Sequence, residues 1–159
     1  MLSCKFITVG NLKESYLREA VAEYTKRLGG FCRPEIISLK EARLPDDPSA
    51  AQIAAALRDE SVRILAAMPP RAMKIALCVE GKQYDSPELA ALLDRGAAAS
   101  GAVCFVIGSS HGLDETVKAA CDLRLSVSRL TFPHQLMQVI LLEAVYRALS
   151  ITHGTKYHK

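Results

Sequence analysis

Five short apolar runs alternate along this chain with five stretches of helical periodicity, and this alternation constrains the fold more than any single motif. The runs are CKFITV (4–9), PEIISL (34–39), MKIALCV (73–79), AVCFVI (102–107) and LRLSV (123–127). MKIALCV and AVCFVI are continuously apolar rather than alternating, as a strand covered on both faces should be. A β-α order repeated five times calls for an α/β domain, a mostly parallel sheet with helices on both faces. With no repeat, linker or low-complexity segment, residues 1–159 read as one domain.

The helices announce themselves by their ends. Asn11 reads as an N-cap, with Glu14 completing a capping box. Leu12, Tyr16, Leu17, Ala20, Val21, Tyr24 and Leu28 then follow at helical spacing up to Gly29-Gly30. Ser49 and Gln52 form a second box after a proline-containing loop, and that helix runs to about Met68, before Pro69-Pro70. Ser86-Pro87 opens the third helix with proline at its first position. A short helical piece spans about Asp114 to Cys121, and the last helix starts near Pro133. That helix carries apolar residues at 136, 137, 140, 141, 144, 145, 148 and 149, with Val139 and Leu142 outside the stripe. The apolar surface is wider than one core face needs, which suits a subunit interface.

Composition removes several function classes. The net charge is only +3, yet no acidic residue follows Glu143, whereas Arg147, His153, Lys156, His158 and Lys159 do. A locally basic end fits a polyanion. The five cysteines are widely spaced, with no C-x-x-C pair, and are expected as reduced, buried thiols of a cytoplasmic protein. Cysteines and histidines do not group at ligand spacing, so no metal is expected. The first apolar stretch contains Lys5 and does not resemble a signal peptide, and no uncharged run is long enough to span a membrane.

In a parallel sheet, ligands sit beyond the carboxyl ends of the strands, which here means loops 10–11, 80–86, 108–113 and 128–132. Val9-Gly10-Asn11 lacks the G-x-G-x-x-G of a dinucleotide site, and no P-loop pattern exists. Gly108-Ser109-Ser110-His111-Gly112 matches the G-x-S-x-G of a serine hydrolase. Ser110 would be its nucleophile, with Asp114 or Asp122 and His134 or His153 as partners, but the chain is short for that fold. The other reading is a phosphate-free ligand such as S-adenosylmethionine, held by backbone groups and an apolar slot. Leu77, Gly108 and the segment VSRLTF (127–132) could supply them.

VGNLKE, YTKRL, VEGK, VIGSSHGL, LTFPHQLMQVILLEAVYRA and the closing YHK together resemble the small SPOUT-class family called ribosomal RNA large-subunit methyltransferase H. The similarity covers the whole chain. Ser109 departs from it, standing where the family often has a second glycine. The resemblance implies a homodimer with a C-terminal trefoil knot. It also implies methyl transfer from S-adenosylmethionine to N3 of a pseudouridine in 23S ribosomal RNA, free or within the ribosome. Carried over, the cofactor site comprises Leu77, Gly108, Val127, Ser128, Arg129, Leu130, Thr131 and Phe132. Tyr157, His158 and Lys159 are expected to bind or orient RNA, with Tyr157 stacking on a base and His158 relaying a proton. His134, beside the cofactor loop, is read as a cap or packing group.

Overall fold

The computed structural model describes all residues from Met1 to Lys159. The strands are β1 (Leu2–Val9), β2 (Cys32–Leu39), β3 (Met73–Gln83), β4 (Ala102–Ile107) and β5 (Leu123–Ser126). Between and after them run α1 (Ser15–Leu28), α2 (Ala50–Ala67), α3 (Ser86–Ser100), α4 (Glu115–Ala120) and α5 (His134–Thr152). One sheet has the order β2-β1-β4-β3-β5, and every pair is parallel.

The expected two-sided burial is visible residue by residue. Cys4 and Phe6 of β1, with Val103 and Phe105 of β4, enter the core shared with α1, α3 and α5. Ile7, Val9, Cys104 and Val106 point the other way, toward Ile64 of α2 and Val117 of α4. This period of two is the pleat of a strand, and it makes a continuous apolar run compatible with two separate cores. Phe6 and Phe105 stack across the β1–β4 pair with ring centroids 5.4 Å apart.

Four expectations need correction. Helix α1 starts at Ser15, with Glu14 at the cap position making no side-chain cap bond, so Asn11 lies in the preceding loop. Arg18 Nη1 instead closes that loop by donating to the carbonyls of Leu12 and Lys13. The box at Ser49 and Gln52 does form, and an unanticipated second one joins Asp85 to Glu88, leaving Pro87 at the second helical position. Strand β2 begins two residues earlier than expected, at Cys32. Strand β3 does not stop at Val79. Leu125 pairs with both Leu77 and Lys82, so the residues between them bulge outward and the strand resumes to Gln83. A Cβ on Gly81 would lie 2.7 Å from the carbonyl carbons of Arg124 and Leu125. Glycine is what lets the bulge close onto β5.

Helix α5 packs between α1 and α3, and its core face differs from the expected stripe. Gln138, Leu141, Leu142, Val145, Ala148 and Leu149 are buried, whereas Leu136 is exposed and Ile140 only half-buried. Leu142, expected outside, has no exposed surface at all. The contact with two neighbouring helices rotates the buried face by about one position from the most apolar line.

Candidate active site

A cavity of about 350 Å³ opens where the carboxyl ends of β3, β4 and β5 meet. It lies to one side of the β1–β4 pair, where the strand order reverses and where a ligand of an ordinary doubly wound sheet would sit. Its wall contains Leu77, Gly108, Val127, Ser128, Leu130, Thr131 and Phe132. Three distant segments read from the sequence thus converge on one cavity. Of the eight expected cofactor residues only Arg129 is absent from the lining; it is exposed, its side chain outside the cavity.

The backbone of the 127–132 segment is unusual. Ser126 Oγ donates to the carbonyl of Ser128, and Ser128 Oγ accepts from the Leu130 amide. Of the backbone N–H groups from Val127 to Phe132, only that of Leu130 donates to a protein acceptor. Unpaired amides beside an apolar cavity are costly unless something else meets them.

Gly108 lines the cavity and also has a role within its own loop. A Cβ there would lie 2.2 Å from the Gly112 carbonyl oxygen and 3.0 Å from Leu113 Cδ2. Glycine is required so that the loop can fold back on itself, before any ligand arrives. The fold-back is a tight turn in which the Gly112 amide donates to the Ser109 carbonyl and Gly112 takes a φ of 89°. Ser110 sits at its tip, exposed, and its hydroxyl has no histidine or carboxylate partner. The hydrolase reading therefore has no triad, and the glycines of G-x-S-x-G serve loop closure.

Ser109 also resolves differently. Its hydroxyl turns inward and donates to Glu60 Oε1 at 2.9 Å. Glu60, buried in α2, accepts from the Ala42 amide at 2.9 Å through Oε2. The extra side chain fastens the loop from behind rather than filling the cavity. Sequence reading missed Glu60; the only signal was a carboxylate at the d-like, inward position of an apolar helix.

The outer wall is formed by the bulge of β3. Glu80 pairs with Lys118 of α4, and this bond holds the Glu80 carboxyl below the usual range. Cys78 lines the cavity, and burial pushes its thiol up. His134 also lines it and makes no cap bond, so the capping reading of this residue is set aside. Its Nε2 and Glu41 Oε2 lie 3.6 and 3.1 Å from the point where a Cβ on Gly10 would be.

Tyr157, His158 and Lys159 are absent from the cavity of their own chain. Tyr157 is docked on α5. Its ring meets Tyr146 edge-on at 4.8 Å, the Arg147 guanidinium lies 4.7 Å from its centroid, and its hydroxyl donates to Glu143 Oε1 at 3.1 Å. His158 and Lys159 project beyond it, exposed.

The family model described as "Predicted SPOUT methyltransferase" matches residues 2–158. The chain belongs to the SPOUT methyltransferase family. A protein of Bacillus pumilus (strain SAFR-032) named Ribosomal RNA large subunit methyltransferase H is 45% identical over 159 residues, covering 99% of this chain and 100% of the relative. A protein of the same name from Streptococcus suis is 42% identical with the same coverage. Among solved structures, a probable methyltransferase from Bordetella pertussis Tohama I superposes with a TM-score of 0.59 at 19% identity, covering 93% of this chain and 95% of that one. The tRNA (m1G37) methyltransferase of Aquifex aeolicus does so at 0.51 and 14%, covering 91% and 69%. These two likenesses show a shared SPOUT fold. Within that fold, the cavity described above is the chain's candidate methyl-transfer site.

Proposed function

We propose that this protein transfers a methyl group from S-adenosylmethionine to N3 of a pseudouridine in large-subunit ribosomal RNA, in the cytoplasm, as a homodimer. The observation that carries the reading is the cavity wall. Leu77, Gly108 and the 127–132 segment line one cavity, and apart from that of Leu130 the segment's backbone N–H groups make no protein hydrogen bond, which leaves them available to the ring nitrogens of an adenine. The relatives named for methylation of large-subunit ribosomal RNA match the chain end to end, which supports the substrate and a single domain over 1–159. The trefoil knot implied by the resemblance belongs to the same reading.

N3 of a uracil-type ring carries its proton at neutral pH. The enzyme must remove that proton and aim the nitrogen at the methyl carbon, in line with sulfur. Nearby cations stabilise the ring anion as it forms. Because the chain's own tail lies away from its cavity, a second subunit is the source that would bring His158 and Lys159 to the target base. Leu136 and Ile140 on the outer face of α5 offer the apolar contact for that subunit, and Glu143, Arg147 and Tyr157 continue along the same side. His158 then takes the proton, and Lys159 meets a phosphate or the anionic ring. The test is mass mapping of ribosomal RNA from cells with and without the protein, followed by restoration with purified protein and S-adenosylmethionine. The reading requires one pseudouridine to gain a methyl group at N3; unchanged RNA would exclude it.

A further inference from the structure

The cavity is backed by a buried carboxylate that takes part in no ion pair. Glu60 is only 3% exposed. One of its oxygens accepts the Ser109 hydroxyl and the other the Ala42 amide. None of the ion pairs in the molecule includes it. The charged groups in the cavity wall itself, Glu80 and Lys118, neutralise each other. The remaining titratable side chains there are Cys78, His111 and His134, while Arg129 stands outside. Glu60 is one serine side chain behind a loop that lines the site, in surroundings where water screens poorly. A buried carboxylate supplied with two neutral donors and no counter-ion favours a cation in the adjoining space.

S-adenosylmethionine is such a cation, because its sulfonium carries a positive charge that the product, S-adenosylhomocysteine, lacks. We propose that Glu60 is a specificity-determining positioning residue, whose buried negative charge makes the cavity favour the charged methyl donor over its neutral product. The Ser109 bridge keeps that carboxylate against the loop. This rests on the reading that the cavity holds S-adenosylmethionine. The consequence is mechanistic. Methyl transfer discharges the sulfonium, the attraction vanishes, and the spent cofactor is held less firmly than the donor would otherwise dictate.

The test is calorimetric binding of both ligands to wild type, Glu60→Gln and Ser109→Ala. Glutamine matches the shape of Glu60 and can still accept the Ala42 amide while offering an N–H to the Ser109 oxygen, so it removes chiefly the charge. In Glu60→Gln the Kd for S-adenosylmethionine should rise by about tenfold while that for S-adenosylhomocysteine changes by less than about threefold. Ser109→Ala keeps the charge but releases the carboxylate from the loop, so the ratio of the two affinities should fall by less than it does in Glu60→Gln. A ratio unchanged in Glu60→Gln overturns the inference, as does equal weakening of both ligands, which is the signature of mere structural damage. If wild type binds neither ligand, the cofactor assignment fails instead. Should Glu60→Gln not fold, wild type decides through an aza analogue with a tertiary amine in place of the sulfonium. At a pH above the analogue's own solution pKa, its binding should draw a proton from buffer. Proton release, or no uptake, refutes the proposal.

Discussion

Gly108 and Gly81 are fixed by the backbone they touch, and this changes what substitutions at them mean. A side chain at 108 collides with Gly112 at its first carbon, before it could reach into the cavity. Gly108→Ala should therefore lower stability by about 2 kcal/mol or more in denaturant titration, without any ligand present. Ser110→Ala, at the exposed tip of the same loop, should leave methyl transfer at its wild-type rate in a tritiated-methyl assay. Tyr157 gives a pH-dependent prediction. Burial and then the hydrogen bond to the Glu143 carboxylate push its phenol up from 10.0 to about 12. A raised folded pKa means stability that is intact below the unfolded value of 10.0 and is lost as pH climbs toward about 12. Ultraviolet titration should thus show one of the five tyrosines ionising late, and Tyr157→Phe should remove that late component.

Helix α5 faces two ways. Its inner line of Leu141, Leu142, Val145, Ala148 and Leu149 is consumed by the core with α1 and α3. The outer line keeps Leu136 and Ile140 one turn apart, followed by the Glu143–Arg147 pair. Replacing Leu136 and Ile140 together by lysine puts charge on the outer line and leaves the inner one untouched. Light scattering should then show a monomer at micromolar concentration, the dimer Kd having risen more than about hundredfold, with the circular dichroism spectrum unchanged. The tail is anchored to the same helix through Tyr146, Arg147 and Glu143. Its position is therefore tied to the proposed interface rather than left to a free end.

For the molecule as a whole, the proposed active site is shared between two chains. Deleting 156–159 should reduce methyl transfer by about a hundredfold or more while S-adenosylmethionine binding persists. A sharper form mixes that truncated chain with a full-length chain whose cavity is blocked by Thr131→Trp. Each homodimer alone should be inactive. In an equal mixture, about one quarter of the sites combine an open cavity with an intact tail from the opposite subunit, and activity should recover to that extent. No recovery would mean that the tail does not act across the dimer.

The sequence by itself determined the parallel α/β layout, because strand and helix periods differ and each run was long enough to show its own. It also carried the cavity-lining segments at Leu77, Gly108 and 127–132, since they follow directly from strand ends. The capping box at Ser49 was legible for the same local reason. Asn11 misled, because a cap is decided by where the chain first bends into helix, and Arg18 closes the preceding loop by binding its carbonyls. The bulge of β3, the inward turn of Ser109 and the rotation of α5 were not legible. Each depends on a group far away in sequence: the backbone of Arg124 and Leu125, the carboxylate of Glu60, and the packing of α1 and α3 against α5. Only tertiary structure brings those partners within contact distance, so only it decides which glycine must be glycine and which carboxylate stands behind the site.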